Sequence, residues 1–186
     1  MTKPAEAVLG LHLMLLRHAK SSWDDTTFDD AARPLAPRGE KAATAMGRMV
    51  ADHGMLPDLV LCSPAVRARQ TWDLVSAALP RPVPMKIVDD LYDFGDGAAP
   101  ADVIREHGGS APRLLLVAHN PAMENLANRL AARGDKEFRA RMAAKYPTAA
   151  LAVIAFDIGS WSKLGTGGGT LTHFIRPRDL PECAST

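Results

Sequence analysis

Leu11-His12-Leu13-Met14-Leu15-Leu16-Arg17-His18-Ala19-Lys20-Ser21-Ser22 is the stretch on which the reading of this chain turns. A largely apolar run stops at Arg17-His18 and gives way to a short polar loop. Such a run, bounded by polar residues, fits a strand buried on both faces. Arg17-His18 then lies just past the carboxyl end of that strand, where open α/β sheets bind ligands. Arginine offers a planar fork of donors suited to phosphate oxygens, and a neutral imidazole serves as nucleophile or general base. The pair suggests phosphoryl chemistry, yet alone it equally describes a surface cation beside a solvated histidine. The rest of the chain has to decide.

Two later stretches repeat the pattern. Leu59 to Cys62 reads as a short strand after Pro57-Asp58, and Ser63-Pro64 supplies a capping hydroxyl and a proline suited to the first helical position. The helix expected from Pro64 to about Leu79 carries Arg67 in its first turn, where free N–H groups and the positive dipole end already favour an anion. Leu114 to Ala118 is a third strand, stopping at His119-Asn120-Pro121 before Met123, Leu126, Ala127 and Leu130 resume helical spacing. Between them, Ala42, Met46, Met49, Val50 and His53 fall at helical spacing from Arg38, with Gly54 as the stop. Strands at Lys86 to Asp90, Ala149 to Phe156 and Leu171 to Ile175, and helices at Ala101 to His107 and Lys136 to Lys145, complete the reading. Polar loops are expected at 21–37 and 89–100, the latter holding LYDFGDG.

Strands joined by crossover helices run parallel, so their carboxyl ends share one sheet edge. The expected fold is therefore α/β, in three layers: a mostly parallel central sheet with helices on both faces. A single domain over 1–186 is expected, with a loose leader over 1–10. The same topology gathers Arg17, His18, Arg67 and His119 around one pocket.

With 22 Lys and Arg against 21 Asp and Glu, the net charge of +1 provides no general field for nucleic acid or an anionic membrane. Any anion site has to be local. Two cysteines, Cys62 and Cys183, are too few for a disulfide framework and lack metal-like spacing, so a reducing cytoplasm is expected. Lys3 and the broken run after it make a poor signal peptide and too short a membrane span.

A phosphate monoester carries close to two negative charges at neutral pH. Transfer of its phosphoryl group requires charge stabilisation on the equatorial oxygens and an in-line nucleophile. Two guanidinium groups and a protonated His119 meet the first need, and His18, beside Arg17, meets the second.

LLRHAKSSWDD, RPLAPRG, LVLCSPAVRARQT, VAHNP and the terminal FIRPRDL, spanning about Leu13 to Leu180, resemble the histidine phosphatase superfamily, most closely its small SixA-like phosphohistidine phosphatase branch. The resemblance implies a phosphoglycerate mutase-like fold, with His18 as nucleophile, Arg17 and Arg67 as phosphate ligands and His119 completing the pocket. It also implies a covalent phosphohistidine intermediate, no metal and no cofactor. The substrate it implies is a phosphorylated protein carrying phosphohistidine, or else a small phosphate ester as in the mutase-like members. A phosphoryl-binding module without turnover is the remaining alternative.

The chain departs from larger members in its acid donor. Where they carry a glutamate after Leu-x-Glu, or an acid directly after the second histidine, this chain reads LYDFGD and HNP. Asp90, Asp93 and Asp96 stay open as donors. An imidazole leaving group, with a pKa of about 6.5, departs without the proton that an alkoxide near ~15.7 needs, which favours phosphohistidine. Without helical cap insertions, an open pocket is expected.

Rival readings fail on spacing. A cysteine phosphatase needs five residues between Cys and Arg, but only four separate Cys62 from Arg67, so Cys62 is expected in the core. GTGGG at 165–169 lacks a following helix and a Walker-type Lys-Ser/Thr pair, which leaves a turn. His12 is expected to pack in or beside the first strand and His53 to sit at a helix C-terminus, where a cation is favoured; His107 and His173 have no partner motif, and Trp23, Trp72 and Trp161 are expected to pack.

Overall fold

The computed structural model describes residues 10–23 and 29–183. The leader expected over 1–10, Gly10 apart, and the middle of the 21–37 loop lie outside the described residues. Strand β1 is Leu11–Arg17, and α1, Pro37–Asp52, crosses back to β2, Leu59–Cys62. Helix α2, Val66–Ser76, leads to β3, Met85–Ile87, and α3, Ala98–His107, leads to β4, Arg113–Ala118. Then come α4, Ala122–Leu130, β5, Arg133–Gly134, and α5, Lys136–Ala144. The hairpin of β6, Leu151–Phe156, and β7, Gly169–Ile175, completes the sheet.

The strands form one seven-stranded sheet in the order β3-β2-β4-β1-β6-β7-β5. Strands β3, β2, β4 and β1 are mutually parallel, whereas β6 is antiparallel to both neighbours. The reason is where the chain enters. The Ala149 N–H donates to the carbonyls of Arg17 and His18, so β6 begins at the carboxyl end of β1 and runs back from it.

Why the decisive run is continuous rather than alternating is now visible. Leu13 and Leu15 are fully buried on the face covered by α3, α4 and α5, while Met14 and Leu16 pack on the opposite face against α1 and α2. With helices on both faces, neither set of side chains reaches water. Helix α1 stops where Gly54 adopts φ +64°, donating to Ala51 while Met55 donates to Val50, a Schellman closure.

Local boundaries differ in several places: α2 is shorter at both ends than Pro64 to Leu79, β6 begins two residues after Ala149 and β7 two residues before Leu171. Ser63 does not cap α2; Ala65 holds that position without a side-chain hydrogen bond. Strand β3 is earlier and shorter than the strand expected at Lys86 to Asp90, and α3 begins three residues before Ala101. The two-residue β5 carries too little pattern to be read from sequence. Trp72 and Trp161 are buried as expected, but Trp23 is 64% exposed. No helix among the described residues is long and apolar enough to cross a membrane.

Candidate active site

Strands β2, β4 and β1 are adjacent and parallel, so the turns that follow them meet at one edge. Arg17 ends β1, and its Nη1 donates to the Tyr146 carbonyl at 2.8 Å. His18, 8% exposed, follows it. Its Nδ1 lies 2.7 Å from the Ala19 carbonyl. A carbonyl only accepts, so Nδ1 carries the proton and Nε2 keeps its lone pair. Burial, opposed by that hydrogen bond and reinforced by Arg67, Arg17 and Arg33, pushes the imidazole down to about 3. His18 is therefore neutral at pH 7, as a nucleophile must be.

Arg67, in the first turn of α2, is 1% exposed. Its Nη2 lies 3.3 Å from His119 Nδ1 and donates to Asp30 Oδ2 at 2.9 Å, while Nη1 donates to the Asp30 carbonyl. The Nε atoms of Arg17 and Arg67 are both buried without a protein partner among the described residues. Buried donors are rarely left unpaired, so these two are available to a ligand. Thr71, one turn on, fixes the nucleophile turn by accepting from the Ala19 N–H at 3.0 Å.

His119 follows β4, and its ring centroid is 4.9 Å from that of His18. A guanidinium only donates, so His119 Nδ1 accepts from Arg67 and Nε2–H donates to Ser63 Oγ at 2.7 Å. Burial, then the neighbouring His18 and Arg67, push this imidazole well below its usual range. The expected cationic His119 is thus neutral in the ligand-free protein. The physical reason is burial first, which disfavours the charged ring, and then the neighbouring His18 and Arg67.

Residues 13–99 match the family model of the histidine phosphatase superfamily (branch 1). The chain belongs to that superfamily. It is 37% identical over 168 residues to an uncharacterised protein of Mycobacterium tuberculosis (strain H37Rv), covering 88% of this chain and all of that one. A structure of SixA from Agrobacterium tumefaciens aligns with TM-score 0.72 and 27% identity over 90% of this chain and 99% of that one. SixA from Nakamurella multipartitia aligns with TM-score 0.74 and 27% identity over 94% and 99%. Phosphatase hydrolysis is the activity this membership supports.

As a histidine phosphatase, the protein brings all four sequence-derived residues together, and the structure adds others. Asp30, on a short turn over Asp30–Ala32, accepts from Arg67, from Arg33 Nη2 at 2.6 Å and from Tyr92 Oη at 2.5 Å. Burial alone would raise its carboxyl, but hydrogen bonds from Tyr92, Arg33 and Arg67 outweigh it and hold the group ionised, well below the carboxylate range. Arg33 also stacks on Trp23, 3.6 Å from the ring centroid. Tyr92 and Phe94 stand 5.3 and 5.1 Å from the His119 ring. Ser63, Asp30, Arg33, Tyr92 and Phe94 were not singled out as site residues from the sequence.

Of the aspartates left open as acids, Asp93 lies between Tyr92 and Phe94, and its Oδ2 is buried without a partner among the described residues. Asp93 Oδ1 accepts from the Gly95 N–H and Asp96 Oδ1 from the Ala98 N–H, so both shape local turns, and Asp90 is exposed. Cys62 is fully buried, and burial pushes its thiol up to about 12, which removes it as a nucleophile.

Proposed function

We propose that this protein is a cytoplasmic phosphohistidine phosphatase acting on a histidine-phosphorylated protein, with His18 as covalent nucleophile. The observation that carries this reading is the Ala19 carbonyl on His18 Nδ1, which leaves the Nε2 lone pair beside the half-buried Arg17 and the buried Arg67, each with a buried Nε that has no partner among the described residues.

In the first step His18 Nε2 attacks phosphorus and a new P–N bond forms, while the P–N bond of the substrate, whose ring carries a proton on its other nitrogen, breaks, its electron pair leaving on a neutral substrate imidazole. Arg17 and Arg67 bind the transferring oxygens, and His119 holds the opposite side. Arrival of a dianion adds a counter-charge that opposes the burial and the cationic neighbours of His119, so the ring takes up a proton as substrate binds. In the second step water attacks the phosphorylated His18, its proton passes to the released phosphate or solvent, and His18 departs neutral. These side chains supply both the charge and the nucleophile, so no metal or cofactor is required.

The acid donor separates this reading from a small phosphomonoesterase or mutase. Among the described residues, Asp30 is a carboxylate that reaches the pocket, and it is held ionised by three donors. A leaving imidazole needs no strong acid, whereas an alkoxide does. The rings of Tyr92 and the half-exposed Phe94 beside His119 also give a flat leaving group a wall to pack against.

Turnover of phosphohistidine, phosphoserine, phosphotyrosine and sugar phosphates tests the substrate, and phosphohistidine is expected to lead by at least tenfold in kcat/KM. Rapid quench should trap an acid-labile, base-stable phosphoenzyme. Robust turnover with no phosphoenzyme would remove His18 as covalent nucleophile. Tight binding of phosphate compounds with no release of phosphate would instead make the chain a binding module.

A further inference from the structure

We propose that a cavity beside the start of α1 is a second anion site, taking a short polyphosphate chain of two or three phosphoryl groups. The cavity has a volume of about 180 Å3, and Lys20, Arg38, Lys41, Arg176 and Arg178 line it together with Thr148 and apolar residues. Five of the 22 cationic side chains of a molecule with net charge +1 therefore share one wall, and no acidic residue is among them.

Little among the described residues offsets this charge. Arg176 is the one lining cation paired with a carboxylate among the described residues: its Nε and Nη2 donate to Asp179 at 2.9 and 2.8 Å, and that carboxylate also accepts from Arg141 at 2.6 Å. Among the described residues, Lys20, Arg38, Lys41 and Arg178 form no ion pair. Helix α1 adds to the field, because it begins at Pro37 with Ala36 as an N-cap that makes no side-chain hydrogen bond. Cations are unfavourable at the positive end of a helix dipole, yet Arg38 and Lys41 sit there. Glu40 lies in the same turn but does not line the cavity.

Charge and size select the ligand class. A monoanion leaves most of the lining cations without a counter-charge, whereas a tri- or tetra-anion matches them, with lysines as point charges and arginines as forks. Pockets for drug-sized ligands begin near ~300 Å3, so the space suits a bare phosphoryl chain better than a nucleotide.

The cavity also adjoins the nucleophile turn. Lys20 lies two residues beyond His18, and its carbonyl accepts from the Ala36 N–H at 2.8 Å. A Cβ at Gly39 would come within 2.1 Å of that same carbonyl, so only glycine lets α1 rest there. Pro147 and Thr148 directly follow Tyr146, whose carbonyl holds Arg17.

Isothermal titration with tripolyphosphate at low ionic strength tests the site by heat, independently of turnover. Wild type should show two binding events, one at Arg67 and one here. The surface double variant Lys41→Gln/Arg178→Gln should lose the second, at least tenfold in affinity, while its turnover of an aryl phosphate stays within twofold. Arg67→Gln should keep that event. Unchanged binding in the double variant, or loss of all binding in Arg67→Gln, would overturn the proposal. So would a poly-glutamate peptide that binds through Lys41 and Arg178 where tripolyphosphate does not, since that marks a surface for an acidic protein.

Discussion

The turns after β1 and β4 each present a buried histidine, and the two rings lie 4.9 Å apart, yet their nitrogens are used differently. His18 gives one nitrogen to a backbone carbonyl and keeps the other lone pair uncommitted. His119 has both nitrogens engaged, one by Arg67 and one by Ser63. Two identical side chains at matching strand ends are thus divided into a group that can form a bond and a group held in place. The division comes from what the neighbouring backbone and hydroxyl offer, not from the strands.

The sharpest way to break this comparison is to remove each ring. His18→Ala should lower kcat/KM by roughly 10⁴-fold or more and abolish the phosphoenzyme in a quench assay. His119→Ala should cost about 10²- to 10³-fold while a slowly formed phosphoenzyme remains. Equal losses, with phosphoenzyme absent from both, would show that the two histidines are not divided in this way.

Titration probes the same difference without mutation. An unperturbed imidazole is about 97% protonated at pH 5. The NMR ring signals of His18 and His119 should instead stay at their neutral positions from pH 8 to pH 5 in the ligand-free protein. The linkage has a definite sign. Both folded-state values lie below the unfolded 6.5, so the unfolded chain binds more protons. Folding stability should therefore fall as pH drops below about 6.5, and denaturant titration at pH 7 and pH 5 reads it.

Smaller effects belong to the supports. Ser63→Ala leaves His119 Nε2–H unpaired in the core and should cost about 1–3 kcal/mol of stability by chemical denaturation. It should lower kcat more than it raises KM, since the ring loses its orientation. Asp30→Asn should be the mildest. Freeing Arg67 from a half-exposed carboxylate should lower KM for a phosphate ester by about two- to fivefold, within the range of partly exposed ion pairs.

Residues at strand ends were the legible part of this site. Arg17, His18 and His119 stand where apolar runs stop, and Arg67 follows a Ser-Pro start signal, so period and punctuation located all four. Contacts made across loops were not legible. Asp30 reaches Arg67 over 37 residues of sequence, and the periodicity of neither segment encodes that meeting. Tyr92 and Phe94 lie in a stretch whose glycines and aspartates read as turn, which it is, but turn chemistry does not say where the rings point. Ser63 was misread for a specific reason: a hydroxyl before proline is a helix-cap cue, and here His119 claims it. Trp23, expected to pack, instead lies exposed under the Arg33 guanidinium, a contact set by the return of the 30–33 turn.

The Asp30 carboxylate on Arg67 has one further consequence. A ligand entering the pocket does not meet a bare guanidinium; it competes in an exchange against a resident monoanion. A phosphodiester or sulfate ester brings the same single charge and gains little from the swap, while a terminal phosphoryl group brings two. Discrimination between ends and links of a phosphate chain is thereby set by a counter-ion that the protein carries itself.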